Sequence, residues 1–210
     1  MVPKSGLKSN TPNLRKAEHA LRAPARAGRM SLEEALFRRR SVREFSGQSL
    51  DEGQIGQLLW AAQGISSAEG FRTAPSAGAL YALEIYVATA AGVDHYLPKG
   101  HEIERLSTDD ARPALFWAAF EQEPVRSASA VFVIAVIYGR LAGKYGKARA
   151  TRYAQLEAGH AAQNLMLQAV ALGLGSVPIG AFDDEQVRSA LALPADRLPV
   201  YLIPVGPTPR

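Results

Sequence analysis

The 210-residue chain predicts an α+β domain in which helices surround a sheet. Three observations carry that expectation. "AVFVIAVIY", Ala130 to Tyr138, is an unbroken apolar run, the mark of a strand covered on both faces. "ATRYAQLEAGHAAQNLMLQAVALGLG" is a long helical pattern, apolar on most sides. It runs from about Ala150 to Leu172 and stops at Gly173 and Gly175. Around these two, short alternating runs take turns with shorter helical patterns, with no repeat and no linker.

The elements follow in order. Residues 1 to 30, rich in Lys, Arg, Ala, Pro and Ser, are expected to be a flexible N-terminal extension, and residues 31 to 210 the domain. Ser31 with Glu34 has the capping-box spacing and opens a helix over Leu32 to Arg39. Ser49 with Glu52 repeats it and opens a helix over Leu50 to Gln63, with Leu58, Leu59 and Ala62 on its apolar face. "GISSAEGFRTAPSAGALYA" reads as a loop punctuated by Gly64, Gly70, Pro75 and Gly78. Leu83 to Thr89 alternates as a strand, and "VDHYLPKGHEIERLS" reads as a hairpin turning at Pro98, Lys99 and Gly100. A helix is expected over Asp110 to Phe120, and another begun by Asp183 or Asp184. "SVPIG" is a strand or strand-loop, and "LPVYLIPVG" the last strand.

Composition narrows the function classes. A hydrophobic fraction of 47% and a charged fraction of 21% are ordinary for a globular enzyme. The net charge of +4 is mild, and no basic stripe interleaved with aromatics calls for a nucleic acid. The absence of cysteine excludes disulfides, thiol nucleophiles, iron–sulfur clusters and cysteine zinc sites, and fits a cytoplasmic location. The histidines His19, His95, His101 and His160 lack metal-ligand spacing, so no metal is expected. No apolar run is long enough for a membrane span.

Three stretches could carry chemistry. "RRRSVREF", residues 38 to 45, gathers Arg38, Arg39, Arg40 and Arg43 around Ser41. Guanidinium forks hold phosphate, although a solvated basic loop explains the cluster alone as well. "APSAGALY", residues 74 to 81, is small-residue chain that lets a backbone approach a flat ligand, or an ordinary loop. "GLGSVPIGAFDD", residues 173 to 184, could line a planar cofactor or simply connect helix to strand.

Taken together, in this order and spacing and closed by "YLIPVG", these stretches resemble the FMN-dependent nitroreductase superfamily over about residues 31 to 207. "APSAGALY" and "KYGKARATRYAQLEAGHAAQNL" make the chain most similar to SagB-type dehydrogenases, which include azoline oxidases. The resemblance implies a nitroreductase-like fold with a mixed central sheet and a homodimer holding FMN at its interface. It implies that Arg39, Arg40, Ser41 and Arg43 grip the FMN phosphate and ribityl chain, with Arg210 completing the phosphate site. It places Pro75, Ser76, Ala77, Gly78 and Ala79 against the flavin of the other subunit. Simple nitroreductases often carry Pro-x-Glu-Gly beside the flavin. Here Pro178, Ile179, Gly180 and Ala181 stand there without the Glu, so backbone contacts carry over. Lys144 and Tyr145 match the Lys-Tyr pair that azoline oxidases place near the start of the long helix for proton removal.

The implied activity is transfer of a hydride from a small or peptide-derived C–N substrate to FMN. An NAD(P)H-dependent nitro or quinone reductase and a flavin-binding module without turnover are the alternatives. Glu157, His160, Asn164 and Gln168 share one helix face and read as polar groups satisfied at a helix or dimer contact. Trp60, Phe116, Trp117 and Phe120 read as core or interface, and Tyr81 and Phe71 as pocket wall.

Overall fold

The structure is a computed structural model that describes residues 18–209. Its centre is a seven-stranded sheet: β1 (Glu18–Ala20), β2 (Leu83–Thr89), β3 (Gly92–Leu97), β4 (Glu102–Ser107), β5 (Ala130–Val136), β6 (Leu174–Ser176) and β7 (Leu198–Pro207). The spatial order is β1-β4-β3-β2-β5-β7-β6. Every pairing between these strands is antiparallel, and the parallel component of the mixed sheet is one bridge, Ser41 to Ser176.

Strand β5 pairs with β2 on one side and β7 on the other, and none of its seven residues is exposed. That is why its sequence is apolar without alternation. Its side chains divide between two cores. Phe132, Ile134 and Val136 join Ile85 and Val87 of β2 on one face; Val131, Val133 and Ala135 join Tyr86 and Ala88 on the other.

The helices are α1 (Leu32–Arg38), α2 (Glu52–Gln63), α3 (Arg112–Ala118), α4 (Glu123–Ser127), α5 (Tyr138–Tyr145), α6 (Lys147–Ala171) and α7 (Asp184–Ala190). Helix α6 supplies Ala154, Ala158, Ala161, Ala162 and Leu165 to the first core. Leu115 of α3, Val125 of α4 and Val187 of α7 fill the second. The small alanines let α6 lie close to the sheet, while its Glu157 is buried with them.

Local starts differ from the expected ones in instructive ways. Helix α2 begins two residues late. Asp51, not Ser49, caps it, accepting from Gln54 N, while Gln54 returns a bond to Asp51 N. The reciprocal capping pattern is present, shifted to Asp-x-x-Gln. The expected strand to Tyr138 ends at Val136, because Tyr138 opens α5. Gly146, with φ of +75°, separates α5 from α6, so the long helix starts three residues earlier than expected.

Of the expected N-terminal extension, residues 1–17 lie outside the described residues. Residues 18–20 pair with β4. Leu21 is 7% exposed and sits in the core, and the Ala25 backbone exchanges two hydrogen bonds with the Gln57 side chain.

Candidate functional site

The arginine cluster straddles the end of α1. Arg38 is committed to Glu34 one turn back, at 2.5 Å. Arg40 folds onto the carbonyls of Phe37 and Arg39, at 2.9 and 2.7 Å. Arg39 is half-buried and Arg43 exposed, and among the described residues neither guanidinium has an ion-pair partner. Ser41 bridges to Ser176 and Val42 N donates to Ser176 O at 3.0 Å, so β6 fixes the strand-like stretch that follows the helix. A Cβ on Gly175 would meet Val42 Cγ1 at 2.7 Å, which requires glycine at that crossing. The adjoining recess of about 250 Å³ is lined by Arg38, Arg40, Gly175 and Thr208. Arg210 lies outside the described residues.

The loop of residues 75–79 is pinned to α6. Ser76 Oγ donates to Glu157 Oε2 at 2.7 Å and accepts from Tyr81 N at 2.9 Å. Asn164 Nδ2 donates to Thr73 O, and Arg140 Nη1 to Tyr81 O. Gly78, Ala79 and Tyr81 all have positive φ, at +63°, +54° and +48°. Left-handed non-glycine residues cost energy and persist where surroundings over-determine them. The clasps from α5 and α6 are those surroundings.

Glu157 is 1% exposed, and its Oε1 has no hydrogen-bond partner. Burial pushes its carboxyl above the ordinary value, and the Ser76 hydrogen bond only partly opposes that.

Lys144 and Tyr145 end α5, rather than starting the long helix, and they point at the same loop. A Cβ on Gly78 would meet Tyr145 Oη at 2.6 Å and Lys144 Nζ at 2.8 Å. Tyr145 stacks edge-on with Tyr153 at 5.0 Å, and Lys144 Nζ lies 5.4 Å from the Tyr145 ring. One ammonium, one phenol and a bare backbone therefore meet at a single point. Lys144 is itself exposed.

The other candidates stand apart. Pro178 is half-buried, and Ile179 exchanges two backbone bonds with Leu202 at 2.8 and 3.0 Å. Gly180 and Ala181 are exposed, and the Ala181 carbonyl accepts from Gln122 Nε2. Among the described residues no hydrogen bond or ion pair joins 39–43 to 75–79.

His160, Asn164 and Gln168 are spent on the chain around them: Pro75 O, Thr73 O and Gln57. Trp117 and Phe120 are exposed, not core, while Phe116 packs into the second core. Sequence reasoning missed the Ser76–Glu157 link and the clasp from Arg140. A lone acid on an alanine-rich stripe of α6 is the signal that could have found the first; nothing local marks the second.

Comparison with known proteins identifies the family. The family described as "Nitroreductase family" matches residues 36–207. A Methanocaldococcus jannaschii protein named "Putative nitroreductase MJ1384" is 40% identical over 183 residues, covering 84% of this chain and 91% of that protein. The crystal structure of a protein from Ralstonia eutropha titled a "putative nitroreductase" superposes with a TM-score of 0.84 at 29% identity, covering 100% of this chain and 96% of that one. A chain of the E. coli microcin synthetase McbBCD complex shares the fold at a TM-score of 0.71 and 22% identity, covering 100% of this chain and 85% of that one. With the sheet, its helical layers and the matched segment in agreement, the chain belongs to the nitroreductase family and is an oxidoreductase of that family.

Proposed function

We propose that the chain is a homodimeric, FMN-dependent dehydrogenase of the SagB type, acting on a C–N substrate of azoline character. The observation that carries the reading is the meeting of Lys144 Nζ and Tyr145 Oη over Gly78. The residues present suit the cofactor. Arg39 and Arg43 hold charge that no carboxylate of the described chain neutralises, and that suits a phosphate. The loop from Pro75 to Ala79 carries only small side chains, which suits close approach of a flat ring.

FMN, when bound, supplies a two-electron hydride acceptor. Arg39, Arg40, Ser41 and Arg43 would hold its phosphate end, and Pro75 to Ala79 of the second subunit its ring. Pro178 to Ala181 would contribute backbone alone. Lys144 Nζ, once in its neutral amine form, would take the proton that must leave when an azoline becomes an azole, and Tyr145 Oη would hold Lys144 in place. Removing one hydride and one proton oxidises the substrate by two electrons, which pass on to oxygen or another acceptor. We place the enzyme in the cytoplasm, with which a chain free of cysteine is compatible.

The rival reading is an NAD(P)H-dependent reductase of nitro compounds or quinones, favoured by the name of the 40%-identical relative. The residues at 178–181, without glutamate, favour the dehydrogenase.

The test is anaerobic. The FMN-loaded protein is mixed with a thiazoline-containing peptide, and separately with NADH and NADPH, while the flavin band is followed. Bleaching by the peptide, lost in Lys144→Ala, is the expected result. Rapid bleaching by a nicotinamide alone would replace this reading with the reductase, and no bleaching by any donor would leave a binding module. Full FMN retention by an Arg39→Ala/Arg43→Ala variant would remove the phosphate assignment.

A further inference from the structure

A second recess, of about 430 Å³, takes in residues of α2, β2, β3 and the turn after β3. That volume is in the range of small-molecule sites. Four cations line it, Arg72, Lys99, Arg140 and Arg197, against one carboxylate, Glu84. Glu84 is already spent, on Arg140 and on His95 Nε2 at 2.5 Å. Burial alone would raise the Glu84 carboxyl, but those two partners outweigh it and hold it below the ordinary value. It attracts Arg72 and Arg197 at longer range, but among the described residues it forms no ion pair with either.

Those cations are short of partners. Arg72 gives one N–H to Gln63 Oε1 at 2.8 Å and lies 4.6 Å over the Tyr81 ring. Arg197 gives one N–H to Tyr86 Oη at 2.6 Å, and its Nε is buried with no acceptor. Lys99 has no ion-pair partner among the described residues. Gln63 is 0% exposed, and its Nε2 is also buried with no acceptor. Buried donors without acceptors are uncommon in folded proteins, because each forfeits its hydration for nothing. Here two of them, on Gln63 and Arg197, line one concave surface beside Arg72 and Lys99, which form no ion pair among the described residues. Burial is the main cause that lowers the Arg72 guanidinium below its ordinary value; Arg140 adds to it, while Glu84 and Glu157 oppose it. Leu80, Ile85, Leu97 and Pro98 supply an apolar wall.

We propose that this recess is a binding site for a small organic anion, its carboxylate or phosphate held by Arg72, Arg197 and Gln63 and its apolar body laid against the wall. Planar forks of this kind accept either acid. The site is separate from the one argued for flavin and stands whether or not the dehydrogenase reading does. It is nevertheless coupled to that site by chain. Arg140 donates to the Tyr81 carbonyl at the end of the Gly78 loop, and it precedes Lys144 by one turn of α5.

The experiment is calorimetric titration of the protein, with FMN in excess, against benzoate, neutral benzamide and inorganic phosphate. Saturable binding of benzoate or phosphate, one per chain, with no binding of benzamide, is expected. Tighter benzoate marks a carboxylate ligand, and tighter phosphate a phosphate ester. Arg72→Gln should weaken binding by about tenfold or more, as loss of a charged hydrogen bond does. Lys99→Ala, at an exposed hairpin turn where folding is not at risk, should weaken it by a smaller factor. Failure of both anions to saturate, or equal affinity in wild type, Arg72→Gln and Lys99→Ala, would overturn the proposal.

Discussion

Gly78 shows how much one missing side chain decides. Its φ of +63° and its crowding against Tyr145 Oη and Lys144 Nζ are separate reasons for glycine. Gly146 has only the first, since a Cβ there, at φ of +75°, would meet nothing within 4 Å. The pair therefore separates strain from obstruction. Gly78→Ala and Gly146→Ala should each cost about 1 kcal/mol of stability, the usual penalty for alanine at positive φ. Only Gly78→Ala should also depress turnover, because Tyr145, packed on Tyr153, cannot yield without moving Lys144. Melting curves and single-turnover rates on both variants give the comparison. Equal rates would mean that the Lys144–Tyr145 arrangement is not used.

At the scale of elements, α6 holds the loop over residues 73–81, and Glu157 is its main hand-hold. Because the folded chain raises the Glu157 carboxyl, the contribution of that group is fully present below the unfolded value of 4.5 and is lost as pH rises through the folded value. Glu84 works in the opposite sense: it contributes above 4.5 and loses that contribution on acidification. Glu157→Gln isolates the first, since the amide oxygen still accepts from Ser76 and carries no charge. The melting temperature of the variant relative to wild type should climb from below pH 4.5 towards neutrality. A difference that stays flat across that range would show that Glu157 does not bury a charge.

Elements differed in how far the sequence revealed them. Strand β5 and helix α6 were legible because burial on both faces and an alanine-rich core stripe leave few alternatives. Helix α5 was not, since Gly139, Gly143 and Gly146 break its pattern and only Leu141 is buried. Strand β1 was hidden for a similar reason: all three of its residues are exposed, and it exists only because β4 offers an edge. The Lys144–Tyr145 pair was picked out by resemblance, but its convergence on Gly78 depends on the break at Gly146, which puts the pair at a helix end.

For the whole molecule, the question is where a second copy sits. Helix α1 buries Ala35 and leaves Leu32, Leu36 and Phe37 at 61%, 52% and 77% exposure, and Leu156 of α6 is 54% exposed. So much apolar surface on one short helix is the face we propose for the contact between two copies. The arginine cluster begins at the end of that same helix, so a second chain seated there would lie beside the proposed phosphate contacts. A Leu36→Glu/Phe37→Glu variant should sediment as a monomer and retain less FMN. A variant that remains dimeric would move the interface elsewhere.

The two margins of the sheet constrain how such pairing can be made. At one margin β1 offers only three exposed residues, one of them acidic. At the other, the Ser41 bridge crosses the far side of β6. Among the described residues neither presents a long run of free amides and carbonyls for another strand to join. The described margins thus give little support to growth by adding strands, and the proposed pairing of copies rests instead on side chains of helices. Such an interface can be rebuilt residue by residue without disturbing the backbone ladder, so partner choice and catalytic scaffold are free to change independently.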